Sequence, residues 1–265
     1  TPEEFGIHAA RDLERLLDEI GEDNVAAFIA EPIQGAGGVI IPPETYWPEM
    51  KRILDERDIL FVSDEVICGF GRTGKWFGCE TYGTEPDLMT MAKGLSSGYL
   101  PIGAVAVSDK VAAAFHEVGG EFYHGYTYSG HPASCAAALA NLEIIQREKL
   151  VERVADDIGP YLSERWKKLG DHPIVGEARM KGLVGALELV PDPANRARRF
   201  ENEGTVGTIA RDHSFANGLV MRAVRDRLII CPPLTIAHDE ADELIAMARK
   251  TLDDTLDTLT RKGML

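Results

Sequence analysis

Positive charge is what this chain has least of. Its 28 lysines and arginines stand against 43 aspartates and glutamates, a net charge of −15. That balance argues against a nucleic-acid binder, whose phosphate contacts need clustered lysine and arginine, and against attachment to an anionic membrane surface. No apolar stretch approaches the roughly 20 residues of a spanning helix, and no signal peptide opens the chain. Cysteine is scarce: Cys68, Cys79, Cys135 and Cys231 have neither CxxC nor zinc-finger spacing. They read as reduced thiols of a cytoplasmic protein with no metal centre. Repeats and low-complexity tracts are missing, and so is an initiator methionine.

What is present describes an ordinary globular chain. With 265 residues, 45% hydrophobic and 27% charged, it can bury a large core in one or two domains. HAARDLERLLDEIG has helical spacing and stops at Gly21, while VAAFIAEP, ILFVSD, PDLMTMAK and IGAVAVS are short apolar runs. Continuous runs of this kind suit a parallel sheet covered on both faces, and their alternation with amphipathic ETYWPEMKRILDERD indicates an α/β layered fold. HPASCAAALANLEIIQREKLVERVADDIGPYLSERWKKL reads as long helical material. Beyond it, GEARMKGLVGALELV reads as a hairpin, GTVGTIARDHSFANG as a helix, RLIICPP as a strand and HDEADELIAMARKTLDDTLDTLTRK as a terminal helix. The predicted division is 1–150 for a mainly parallel-sheet part and 151–265 for an α+β part.

Two residues carry most of the chemistry. Asp64 follows ILFVS and so emerges at the carboxyl end of a buried strand, where the crevice of an open α/β sheet lies. Lys93 follows PDLMTMA and precedes Gly94, which permits a sharp turn. A lysine in apolar surroundings can lose its proton and attack an aldehyde, and an aspartate in a dry site can keep a pyridine nitrogen protonated. Pyridoxal 5′-phosphate chemistry needs both: a Schiff-base lysine and a carboxylate that keeps the ring an electron sink. Glu65 is the weaker candidate for that carboxylate because strand alternation points it the other way. Lys75 and Lys110 lie in Gly-rich or polar turns that suit solvation. Glu31 ends another apolar strand and is predicted to face the same crevice, as a hydrogen-bond partner of substrate or as a structural carboxylate.

EPIQGAGGV (31–39), SDEVICGFGRTG (63–74), MAKGLSSGYLPIGA (91–104) and YTYSGHP (126–132) occur in that order. Together they resemble the class III, fold-type I pyridoxal-phosphate aminotransferases, especially the ω-amino acid or amine:pyruvate branch. The resemblance implies that Lys93 forms the imine with the cofactor and shuttles a proton, that Asp64 holds the ring nitrogen, and that Val66 packs against the ring. It also implies that Thr127 reaches the cofactor phosphate of the neighbouring subunit in a homodimer or higher oligomer. Arg222, in VMRAVRDRLIICPP, matches the mobile arginine that grips a substrate carboxylate, with Arg225 and Arg227 close by.

The branch follows from two departures. Ornithine and γ-aminobutyrate relatives carry a glutamine where this chain has Ile67 and an arginine where it has Ile229. The substrates implied are a small amino donor and a ketoacid, pyruvate first. Family members also carry, upstream of these motifs, a Gly-Ser phosphate loop and an aromatic that stacks on the cofactor. Neither has a counterpart here, so the chain reads as the C-terminal part of such an enzyme. The alternatives are an aminomutase or another transaminase on this fold, or a non-catalytic fragment.

Overall fold

The computed structural model describes residues 1–119 and 122–265. Its residues form two compact units. The first comprises 1–33, 42–71 and 75–149; the second comprises 34–41, 72–74 and 150–265. Two short excursions, 34–41 and 72–74, thus belong to the unit built mainly from residues after 149.

In the first unit, α1 (Pro2–Ile20) starts at Thr1, whose hydroxyl accepts from Glu4 N while Glu4 reaches back to the chain terminus. It stops at Gly21, whose φ of 85° suits glycine. The sheet runs β1 (Ala27–Ala30), β2 (Leu60–Asp64), β3 (Leu88–Met91) and β4 (Ala104–Val107) in that spatial order. The first three strands are parallel and β4 is antiparallel to β3. One face is covered: Trp47, Met50, Ile53 and Leu54 of α2 (Tyr46–Glu56) pack with Ala10 and Leu17 of α1 onto Phe61. Each buried leucine, isoleucine, methionine or phenylalanine among them contributes roughly 1.5–3 kcal/mol. The opposite face is open. Ile29, Val105 and Val107 on it are 60%, 58% and 50% exposed. Asp64 and Thr90, which are register partners, lie on this same open face by strand alternation.

Among the described residues the first unit also holds the α-helices α3 (Gly78–Thr81), α4 (Asp109–Val118) and α5 (Pro132–Arg147). The sequence pattern reads the stretch after Pro132 as long helical material. In the structure Lys149, with a φ of 52°, separates α5 from α6 (Leu150–Asp156), and Asp157 outside helical geometry separates α6 from α7 (Ile158–Lys168). No glycine or proline announces the first of these breaks, whereas Gly159 and Pro160 stand just past the second.

The second unit holds an antiparallel sheet of β5 (Val175–Lys181), β6 (Val184–Leu189), β8 (Arg227–Ile230) and β7 (Arg222–Val224), in that order. Trp166 and Leu162 of α7, Ala210 of α8 (Thr205–Ala216), and Leu244, Ala248 and Leu252 of α9 (His238–Lys262) bury its inner face with Leu187 and Leu228.

His172 is buried in this core. Its Nδ1 accepts from Ile174 N, so Nε2 donates to Asp253 Oδ1 at 3.2 Å. Burial pushes the imidazole below its ordinary value, Arg249 adds to the fall, and Asp253 only partly opposes it. The unfolded chain then takes up a proton, from about pH 6.5, before the folded one does. Stability from the neutral ring is complete above that pH and is lost as pH falls toward the folded value. We expect the thermal midpoint to fall more steeply between about pH 6.5 and 5 in the native protein than in His172→Gln. Parallel curves over that window refute a titrating His172.

Candidate active site

Parallel strands β1, β2 and β3 end together, and their carboxyl ends carry Glu31, Asp64 and the turn of Lys93. Asp64 is half-buried and closes β2; its Oδ1 accepts from Val66 N at 3.1 Å, a local turn that leaves most of the carboxylate's acceptor capacity unused. Val66 is half-buried just beyond it. The side-chain hydroxyl of Thr90, opposite Asp64, is buried without a hydrogen-bond partner. Glu31 follows β1 and is half-buried, engaged with neighbouring groups.

Lys93 follows β3 by two residues and opens a single 3-10 turn, Lys93–Leu95, with a φ of 37°. A non-glycine residue in this region costs on the order of 1–3 kcal/mol and persists only where its surroundings enforce it. Two neighbours do so. A Cβ at Gly94 would sit 2.9 Å from Phe70 Cβ, so only glycine lets the turn approach that ring. Asn141 of α5 donates to the carbonyls of Gly94 and Leu95 at 2.8 and 3.1 Å. Asn141 escaped the sequence reading, although a lone amide inside PASCAAALANLEII was a legible signal.

The sequence expectation of apolar surroundings for Lys93 is not met within this chain. Lys93 is exposed, and its side chain makes no hydrogen bond or ion pair among the described residues. The reason is the open face of the sheet, which no described element covers. Lys75 is exposed, and Lys110 pairs with Asp58 at 2.8 Å. Lys93 is thus the lysine that shares the strand ends with Asp64.

Glu65 turns to the opposite face from Asp64, as alternation requires, and is fully buried. Gly78 N and Cys79 N donate to its two oxygens at 2.7 Å each, and Ser63 Oγ donates at 3.0 Å. Cys68 and Cys79 lie beside this carboxylate. Burial first, and then Glu65, push both thiols up to about 12, which keeps them protonated and unreactive.

Thr127 is exposed in the aromatic loop before α5, where Tyr126 N donates to Ser129 Oγ at 2.9 Å. Leu100–Gly103 and Tyr128–His131 line a concave surface beside it. In the second unit, Arg222 opens β7 opposite Ile229 and is exposed, its side chain without a hydrogen bond or ion pair among the described residues. Its two neighbours are engaged: Arg225 pairs with Glu203 at 3.2 Å, and Arg227 with Glu188 at 3.4 Å.

Comparison with known proteins adds identity to this geometry. The family model described as aminotransferase class III matches residues 3–252. The putrescine–pyruvate aminotransferase of Pseudomonas aeruginosa is 58% identical over 255 residues, which are 96% of this chain and 55% of that protein. The diaminobutyrate–2-oxoglutarate transaminase of Halomonas elongata is 45% identical, over 100% of this chain and 57% of that protein. An (S)-enantioselective ω-transaminase structure from Thermomicrobium roseum superposes with a TM-score of 0.91 at 43% identity, covering 97% of this chain and 57% of that one. The chain therefore spans a little over half the length of these relatives. Its mixed α/β fold is that of the fold-type I pyridoxal-phosphate enzymes. The sheet with Asp64 and Lys93 at its strand ends is accordingly that of a family member, and the chain belongs to the class III aminotransferases, which depend on pyridoxal 5′-phosphate.

Proposed function

We propose that this chain forms the larger part of an ω-amine:pyruvate aminotransferase. The amino group leaves a primary amine or ω-amino acid, which becomes a carbonyl compound, and pyruvate leaves as alanine. The single observation that carries the reading is the placement of a half-buried carboxylate, Asp64, and an unpaired lysine, Lys93, at adjoining ends of parallel strands. The residues fit pyridoxal 5′-phosphate: a carboxylate with spare acceptor capacity for the ring nitrogen, a free amine, and an unpartnered hydroxyl on Thr90. When bound, the cofactor supplies an electron sink for the carbon that loses its proton. With the cofactor in place Asp64 would hold the ring-nitrogen proton, Val66 would pack against the ring, and Lys93 Nζ would carry the proton taken from the donor carbon and returned to the acceptor. Glu31 borders the same crevice as a substrate or arginine partner.

The catalytic assembly extends beyond one copy of these 265 residues. Relatives of nearly twice the length and the open apolar face beside Asp64 support this, since parallel sheets are normally covered on both faces. Thr127, exposed in its aromatic loop, is assigned to the cofactor phosphate of a second subunit in a homodimer. Four free thiols suit a cytoplasmic setting.

Arg222 is the carboxylate ligand for the acceptor, because Arg225 and Arg227 are already engaged. The test is the substrate profile of the assembled enzyme. A diamine of the putrescine kind with pyruvate is expected to react, and 2-oxoglutarate to react poorly. Arg222→Ala loses a charge-assisted bidentate contact of about 1.5–3 kcal/mol, so KM for pyruvate rises on the order of tenfold or more. Single-turnover amino release from the diamine stays unchanged. Equal damage to both halves assigns Arg222 a structural role, and no amino transfer to any ketoacid removes the reading itself.

A further inference from the structure

We infer that Glu65 is the positioning residue for Asp64, holding the carboxyl ends of β1 and β2 in fixed relation through one buried bracket. The inference rests on the cofactor-holding role of Asp64. Glu65 is fully buried and forms no ion pair among the described residues. A carboxylate in such a place is costly unless donors surround it, and three do: Gly78 N, Cys79 N and Ser63 Oγ. Its backbone is tied as well. Glu65 N donates to Thr90 O of β3 at 2.9 Å, and Glu65 O accepts from Gly69 N at 2.9 Å.

The bracket reaches β1 through Gly78. A Cβ there would lie 2.6 Å from Cys68 Cβ and 2.9 Å from the Pro32 ring, so glycine alone admits this approach. Pro32 and Ile33, the residues after Glu31, are fixed in turn. Trp47 Nε1 donates to Pro32 O at 3.0 Å, and the Cys68 thiol donates to Ile33 O at 3.6 Å. Among the described residues the Asp64 carboxylate has only the Val66 N bond. The direction of its carboxylate is therefore set by the backbone of residues 64–66, and Glu65 is what anchors that backbone on the other side of the sheet.

The test is a double-mutant cycle read as cofactor affinity of the assembled apoenzyme, titrated with pyridoxal 5′-phosphate and followed by absorbance. Glu65→Gln keeps the size and one acceptor oxygen but sets an amide against two N–H donors. It is expected to weaken affinity by about tenfold in the native background and by less than about twofold when combined with Asp64→Asn, a coupling of the size contacting residues show. Ser63→Ala, which removes one donor and preserves the fold, is expected to show the same coupling at smaller amplitude, and it carries the test if Glu65→Gln does not fold. Equal loss in both backgrounds makes Glu65 a purely structural carboxylate and overturns the inference. An Asp64→Asn protein with unchanged affinity and rate removes the premise too, a result distinguishable from the first because no variant of Asp64 then matters.

Discussion

Lys93→Ala is expected to abolish amino transfer while leaving the thermal midpoint of the protein unchanged. The two halves of this result have separate causes. Lys93 is exposed and makes no side-chain bond among the described residues, so its removal costs the fold little. Its backbone φ of 37° is equally awkward for alanine, and Gly94, Phe70 and Asn141 hold the turn without help from its side chain. The chemistry loses both the nucleophilic amine and the proton carrier. A positioned proton-transfer group alone is worth about 10²–10⁴-fold, and no second lysine stands at a neighbouring strand end. Reduction of the assembled enzyme with borohydride, followed by peptide mapping, gives an independent reading: the cofactor label is expected on Lys93 and nowhere else. Wild-type turnover in Lys93→Ala, or the label on Lys75 or Lys110, ends the assignment.

Asp64→Asn is expected to retain some cofactor and lose most of the rate. The amide is nearly isosteric, and Oδ1 can still accept from Val66 N, so the strand end is preserved. What disappears is the permanent negative charge that keeps a pyridine nitrogen protonated at neutral pH. Losing one partner of a desolvated charge pair costs about 3–5 kcal/mol, equivalent to roughly 10²–10³-fold or more in rate. The loss is expected in kcat more than in KM, because the charge matters most as the donor carbon gives up its proton. A rate unchanged with cofactor bound shows that another group holds that nitrogen.

Much of this site was legible because strands announce where they stop. ILFVS and PDLMTMA are apolar runs ended by one polar residue, and each delivers that residue to the sheet's carboxyl edge. Periodicity also turned Glu65 away from Asp64. It said nothing of what Glu65 meets, because its N–H partners lie thirteen and fourteen residues further on, and only the folded chain brings them together. The exposure of Lys93 was missed for a related reason: burial belongs to a whole layer, and the residues flanking Lys93 do not reveal whether the layer above them is present. Backbone exceptions were the other blind spot. Lys149 and Val39 adopt φ near 52°, a conformation that lysine and valine never advertise. The helix α4 was overlooked although Ser108, whose hydroxyl caps Val111 N, gave a start signal.

The interleaving of the two units has a consequence for anyone who would divide this polypeptide. The backbone passes from one unit to the other at 33–34, 41–42, 71–72, 74–75 and 149–150. A cut after residue 149 therefore does not yield two self-sufficient pieces. The downstream piece loses the 34–41 strip, whose Gly38 and Val39 carbonyls accept from Arg179 at 2.7 Å each, and Arg72, which donates to the carbonyls of Leu183 and Pro232. Single-point recombination with a homologue at that junction would mix parental sequences inside the second unit, and chimeras stay matched only when 34–41 and 72–74 are exchanged along with everything after 149.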